Sequence, residues 1–80
     1  MDSRGYSSRI VKANLEASTE SPGVVLGRMC ISKEIPVTDT AEFFGVSRMT
    51  IYKWFTGEWM PRKQQAEKIA EVLKKAGFRV

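Results

Sequence analysis

The sequence predicts an all-α domain of four or five helices. Apolar residues recur at spacings of three and four along most of the 80 residues, which is the pattern of helices that bury one face. No stretch alternates convincingly between apolar and polar residues, as a half-buried strand does. A chain of this length makes one domain, and folding can bury only about 60–65% of its surface.

The first twenty residues differ from the rest of the chain. Residues 1–8 have no apolar periodicity and predict a mobile arm. Residues 9–18 carry a weak apolar stripe, so we expect a short helix there, capped by one of the two serines before it. We therefore assign residues 1–20 to a flexible arm or a short extra helix, and residues 21–80 to the main domain.

The main domain opens with a helix that should run to about residue 33. Ser21 and Pro22 mark its start, because serine caps helices and proline at the first position loses no hydrogen bond. We expect Gly27 and Arg28 on its outside, although a glycine there also lets another helix come close. The predicted buried stripe is Val25, Leu26, Met29 and Cys30.

Two short helices joined by a tight turn occupy residues 37–56, after a break at Ile35 and Pro36. Gly45 stands where the first of them must stop, because glycine accepts the left-handed conformation that ends a helix. Ser47 follows and can cap the amides of a new helix over residues 48–56. That helix buries Ile51, Trp54 and Phe55 and points outward Arg48, Met49, Tyr52 and Lys53.

A last helix is predicted over residues 62–76, after Gly57 and Pro61 have ended the one before it. We expect Trp59 to be buried, since large aromatic residues dominate small cores; the alternative is an exposed Trp that lies against a binding partner. Phe78 and Val80 should dock on the core or on a second subunit. The predicted core is Val25, Leu26, Met29, Ala41, Phe44, Val46, Ile51, Trp54, Phe55, Ile69, Val72 and Leu73.

Composition excludes several functional classes. The formal net charge is +4, and the charges of residues 1–20 cancel, so the basic excess lies in residues 21–80. One cysteine and no histidine leave no internal disulfide, no zinc finger and no histidine-based catalysis. We expect no metal, no cofactor and no enzymatic activity. No apolar run approaches the ~20 residues of a membrane span, so we expect a cytoplasmic protein without a membrane partner.

The central segment carries small and apolar residues at a characteristic spacing. Ala41 is followed four residues later by Gly45, and then come Val46-Ser47, Ile51 and Trp54. This spacing resembles the helix-turn-helix of the lambda-repressor and Cro family of phage and bacterial regulators. The resemblance covers roughly residues 24–76 and extends to three later features: Gly57, Pro61 and the apolar pattern of residues 68–73.

The resemblance implies a compact lambda-repressor-like domain that binds double-stranded DNA and regulates transcription, most simply as a phage or prophage repressor. In that family the second helix of the motif enters the major groove, which here is helix 48–56. The implied base-reading residues are Arg48, Met49, Thr50, Tyr52 and Lys53. The implied phosphate-binding residues are Ser47, Thr56, Arg62, Lys63 and Thr38.

The sequence departs from the family at Pro36 and Val37, where its members commonly carry a polar cap and a phosphate-binding glutamine. Thr38 or the helix amides can replace that anchor. The family solution to a short recognition site is a homodimer on a palindromic operator. Residues 1–20 then either pack on the domain, stay disordered, or follow the DNA backbone as an arm.

Two other interpretations remain open. The protein can be an excisionase-like or architectural DNA-binding factor, although residues 57–61 are too short and residues 62–76 too helical for the winged hairpin that such proteins commonly add. It can also be a protein-interaction or antitoxin module, in which the outward face of helix 48–56 binds a protein. Apart from both, the plain structural alternative for the motif is an αα-hairpin inside a helical bundle that binds no nucleic acid.

Overall fold

The computed structural model describes residues 6–78, and in that range the chain forms five helices and no strand. The helices are α1 (Ser8–Glu16), α2 (Pro22–Ser32), α3 (Val37–Phe44), α4 (Arg48–Thr56) and α5 (Lys63–Ala76). The all-α prediction is confirmed. The bounds of α3 and α4 are those predicted, and α1, α2 and α5 differ from the prediction by one or two residues at their ends.

α2 is the central helix, and it packs against α1, α4 and α5, whereas α4 packs against α1, α2 and α3. The predicted buried stripe of α2 is confirmed, and Val24 is buried as well. Most of the predicted core is buried, including Ile51 and Phe55, which are fully enclosed. Three of its predicted members are only partly buried: Val46, Val72 and Leu73.

Gly27 corrects the prediction that placed it on the outside of α2. It is buried against α1 and α4, and a Cβ there would lie 2.6 Å from Asn14 Nδ2 and 2.8 Å from Phe55 Cγ. Gly23 stands one turn earlier, and a Cβ there would lie 2.8 Å from Trp54 Cβ. The two glycines therefore let the buried back of α4 approach α2 more closely than any side chain would allow.

Asn14 is a core residue that the sequence analysis did not identify. Its side chain is 1% exposed, and its Nδ2 donates to the carbonyl oxygens of Val24, at 3.1 Å, and Phe55, at 2.8 Å. The Phe55 carbonyl lies in the last turn of α4, where backbone acceptors lack partners within the helix. One amide group thus joins α1, α2 and α4. Leu15, the apolar residue that follows Asn14 in the sequence, is exposed.

Arg28 also differs from the prediction that it faces solvent. Its Nη2 donates to backbone carbonyls at the end of α1, with distances of 3.0 Å to Leu15 and 3.4 Å to Asn14 and Ala17. A cation at a helix C-terminus complements the helix dipole and its unpaired carbonyls. Arg28 therefore attaches the end of α1 to α2.

The first described residues, at the start of α1, are also fixed by contacts with the rest of the domain. Ser7 caps α1 by accepting from the Ile10 amide at 3.2 Å, as predicted. Tyr6, which the sequence analysis places in the arm, is buried beside Phe55, and its hydroxyl donates to the Ile35 carbonyl. Burial raises the pKa of the Tyr6 phenol. The division of the chain at residue 20 stays a prediction, and residues 1–5 lie outside the described residues.

Smaller differences concern the helix ends. Ser21 precedes α2, but its buried hydroxyl makes no capping bond. Cys30 is buried, as expected, and burial raises the pKa of its thiol. Ala70 and Ala76 of α5 are exposed. Phe78 docks on the core through its partly buried ring, whereas Val80 lies outside the described residues.

We expect Gly27→Ala to lower the free energy of unfolding, although alanine favours an isolated helix by about 1 kcal/mol. The new methyl group must displace Asn14 or Phe55, and forced repacking of a core costs about 1–3 kcal/mol. Chemical denaturation measures the change. Ser32→Ala, at an exposed position of the same helix, is the control and should stay near the wild-type value. A Gly27→Ala protein as stable as wild type would contradict the close approach of α2 and α4.

Candidate nucleic-acid interface

The turn between α3 and α4 has the geometry that the sequence predicts. Gly45 is left-handed, with φ 69° and ψ 34°, and the Val46 amide donates back to the Ala41 carbonyl at 3.0 Å. The Ser47 hydroxyl oxygen then accepts from the Thr50 amide at 3.1 Å and caps α4. Three residues therefore suffice to end one helix and begin the next.

α5 braces this turn from the side. Gln65 Nε2 donates to the Phe44 carbonyl at 3.2 Å, and Lys68 Nζ donates to the Phe43 carbonyl at 3.0 Å. The Lys68 ammonium also lies 4.7 Å from the centroid of the Phe43 ring. Lys68 is exposed, and its ammonium donates to a single carbonyl, that of Phe43 near the end of α3. The orientation of α3 before the turn is thus tied to α5.

The five predicted base-reading residues of α4 differ in how far they face away from the core. Arg48 and Met49 are exposed in the first turn, and 63% of Met49 is accessible. Thr50 and Tyr52 are partly buried; Tyr52 packs against the core, and Thr50 Oγ1 lies 3.0 Å from Ser47 Oγ. The N-terminal part of α4 therefore presents a cation, a thioether and a hydroxyl on a firmly held helix.

Lys53 differs from the other four, because its ammonium is paired. Lys53 Nζ lies 2.7 Å from Glu58 Oε1, in an ion pair whose side chains are 34% and 58% exposed. The hydrogen bond from Lys53 lowers the pKa of the Glu58 carboxyl. Glu58 follows the end of α4, so it is an acidic neighbour of this helix that does not belong to the helix itself. Lys53 points to the turn after α4, and a base contact by Lys53 stays a prediction.

The turn after α4 folds back onto the end of that helix. The Trp59 amide donates to the Lys53 carbonyl at 3.2 Å, and the Lys53 ammonium lies 5.8 Å from the centroid of the Trp59 ring. Thr56 Oγ1 donates to the same carbonyl at 3.3 Å and lies 3.5 Å from Glu58 Oε2. Glu58 and Trp59 are thus fixed against α4, one through its side chain and the other through its backbone.

Trp59 corrects the expectation that it is buried. Its side chain is 47% exposed, and Met60 beside it is 65% exposed. Trp54 already fills the aromatic position in the core, where its ring meets Phe44 edge to face at 5.8 Å. Trp59 comes after α4 has ended, so it lies at the rim and faces solvent together with Met60.

The predicted phosphate-binding residues fall into two groups. Ser47, Thr56, Arg62 and Lys63 flank α4 on either side, and Thr50 and Arg62 line one hollow between α4 and α5. Thr38 is exposed in the first turn of α3, on the other helix of the motif. The structure therefore places a hydroxyl or a cation at the starts of α3, α4 and α5.

The starts of α3 and α5 lack a side-chain cap. Pro36 precedes α3, where the family commonly has a polar cap, and Val37 is buried in the core. Arg62 precedes α5 and is exposed. Because no side chain accepts from their first-turn amides, both helix starts can donate to an anion such as a phosphate.

A comparison with protein families agrees with this geometry. A family described as helix-turn-helix matches residues 28–76, more than half of the chain, and the range contains the turn at Gly45 and all of α3, α4 and α5. The chain belongs to this helix-turn-helix family, which is of the Cro and C1 type. The family is one of DNA-binding regulators and not of enzymes.

No curated protein and no solved structure shows significant similarity to the chain. Among the helices of residues 6–78, none is long and apolar enough to cross a membrane.

We expect Gly45→Val to destabilise the fold by about 1–3 kcal/mol, because a β-branched residue is strained in the left-handed region. The space around Gly45 is open, and a Cβ added there would have no atom within 4 Å, so the cost is conformational and not steric. Gly45→Asn is the control: it adds a side chain of similar size, and Asn accepts this conformation more readily. Thermal denaturation should show a clear loss of stability for Gly45→Val and a small one for Gly45→Asn. Equal losses of stability for the two variants would mean that steric crowding, and not backbone strain, causes the destabilisation.

Proposed function

We propose that the protein is a sequence-specific transcriptional regulator, a repressor of phage or prophage type, that inserts α4 into the major groove of double-stranded DNA. The observation that carries the proposal is the exposed N-terminal front of α4, with Arg48 and Met49 outermost, on a helix whose back is enclosed by three others. Recognition helices of this motif contact base edges with their N-terminal residues. Membership of the helix-turn-helix family supports DNA binding.

The chemistry of this front suits base readout. Arg48 can donate two hydrogen bonds to the N7 and O6 atoms of one guanine, which no other base pair offers in the major groove. Met49 and the methyl group of Thr50 can contact a thymine methyl. Tyr52 lies one turn beyond Arg48 on the same side and can reach a base edge or a phosphate.

Phosphate contacts would fix the register of α4 on the duplex. Arg62 and Lys63 at the start of α5 are exposed cations next to uncapped amides, and Thr38 offers a hydroxyl at the start of α3. Such contacts carry no sequence information, but they orient the recognition helix and make binding dependent on salt. Ser47 and Thr56, at the two ends of α4, complete the predicted set.

One recognition helix reads too few base pairs to select a single site in a genome. We therefore propose that the protein binds a palindromic operator as a homodimer, with half-sites about 34 Å apart.

The exposed apolar side chains near α4 favour one alternative function. Met49, Trp59 and Met60 are large apolar residues that face solvent on this side of the domain, and such side chains are enriched in protein–protein interfaces. A protein-interaction or antitoxin module would use them to bind a partner. An excisionase-like factor is less well supported, because residues 57–62 form a short turn and residues 63–76 a helix where a winged hairpin would stand.

We expect Arg48→Ala to weaken binding to the preferred DNA site by about 1–3 kcal/mol and to relax the preference at one base pair. Its effect on random DNA should be smaller, because the lost bonds are to a base. The preferred site is first obtained by selection from a random DNA library. Binding is then measured on preferred and random duplexes at several salt concentrations.

Arg62→Ala should behave differently, because its proposed partner is a phosphate. It should weaken binding to both duplexes alike and lower the salt slope by about one. Lys74→Ala is the matched control: it removes one exposed positive charge about 18 Å further along α5 and should leave the salt slope nearly unchanged. Equal losses on both duplexes for Arg48→Ala would make Arg48 a backbone contact. If no variant alters DNA binding, the protein-interaction alternative replaces the regulator.

A further inference from the structure

Lys53 is the one predicted base-reading residue whose charge is already neutralised by a neighbour in the described structure. Its ammonium meets Glu58 at 2.7 Å, and the same carboxylate lies 3.5 Å from Thr56 Oγ1, a predicted phosphate ligand. One acidic side chain therefore engages two of the groups that the proposed function assigns to DNA. An isolated surface ion pair contributes little to stability, so the pair calls for an explanation beyond folding.

The turn holds Glu58 in this place. The Trp59 amide bonds to the Lys53 carbonyl at 3.2 Å, which fixes the backbone directly after Glu58 against α4. The Lys53 ammonium sits between the Glu58 carboxylate and the Trp59 ring, whose centroid is 5.8 Å away. Two separate attractions thus draw Lys53 toward the turn and away from the N-terminal front of α4.

We propose that Glu58 is a specificity-determining residue, which withholds Lys53 from the backbone of random DNA. The inference rests on the proposed function. A free lysine on the DNA-facing surface strengthens binding to every duplex alike, because it neutralises a phosphate without reading a base. A lysine paired with Glu58 adds nothing to such encounters, and the carboxylate itself is repelled by phosphates.

The pair is also weak enough to open when a better partner is present. Both side chains are partly exposed, and ion pairs of this kind contribute little to stability. On the preferred site, where α4 is fully seated, a guanine edge can replace Glu58 as the acceptor for Lys53. Glu58 therefore lowers sequence-independent binding more than it lowers specific binding.

The test is Glu58→Gln, which keeps the shape of the side chain and removes its charge. Each phosphate neutralised steepens the salt dependence by about 0.9 in log–log form. The freed Lys53 should therefore steepen the slope on random DNA by about 0.9 and raise the affinity about fivefold at 0.15 M salt, as that slope implies. The preferred site should gain less, so the ratio of specific to random affinity should fall.

Two further variants separate this mechanism from simple repulsion. Glu71→Gln removes an exposed carboxylate from the middle of α5 and should leave the salt slope on random DNA unchanged. In a Lys53→Gln background, Glu58→Gln should no longer steepen that slope, because no lysine is left to be freed. If Glu58→Gln raises random binding equally in both backgrounds, Glu58 acts by repulsion alone and the inference is overturned.

The outcomes also distinguish this inference from the proposed function. If the wild-type protein binds no DNA, the proposed function fails and the inference fails with it. If the wild-type protein selects a DNA site but Glu58→Gln changes neither the slope nor the specificity ratio, only the inference fails. Thermal denaturation of each variant guards against misfolding, and Glu58→Ala provides a second variant that also removes the ion pair.

Discussion

The close approach of α4 to α2 is the contact on which the rest of this domain depends. Gly23 and Gly27 leave no side chain between the two helices, so Trp54 and Phe55 of α4 rest directly on the backbone of α2. Asn14 enters the same junction and satisfies the Phe55 carbonyl. Burial of that carbonyl without a donor would cost about 1–3 kcal/mol. Apolar packing and one polar bond thus fix the back of α4 and leave Arg48 and Met49 exposed on its front.

The apolar periodicity of the sequence predicted the features that belong to a single helix, but not the contacts between helices. The spacing of Ile51, Trp54 and Phe55 identified the buried face of α4, and Gly45 and Ser47 identified its beginning, because those signals are local. The burial of Asn14 was not predicted, since it depends on a carbonyl 41 residues away. Gly27 was ambiguous for the same reason: a glycine in a helix looks like a weakness until the partner that crosses it is known.

At the candidate site, too, the sequence predicts the residues on the helix but not those in the turn that follows it. Arg48 and Met49 could be assigned from the helix alone, because any side chain opposite a buried stripe faces outward. Glu58 and Trp59 could not, since they follow α4 and the path of the turn decides where they lie. A hydrophobicity argument places Trp59 inside, yet Trp54 already occupies the core position and the backbone bond to Lys53 holds Trp59 at the rim. The charge beside the outward face of α4 therefore depends on a turn that no helical pattern covers.

Because the buried back and the exposed front of α4 are separate, substitutions on the two faces should have different effects. Substitutions on the back of α4 alter the free energy of unfolding, because they disturb packing in a small core with little surplus stability. Substitutions among Arg48, Lys53 and Glu58 touch exposed or half-exposed groups whose mutual interactions contribute little to folding. Affinity and specificity can therefore be adjusted at the front by single charges while the helix stays in place. Glu58 is the clearest case, because the cation that it holds belongs to α4, the proposed recognition helix.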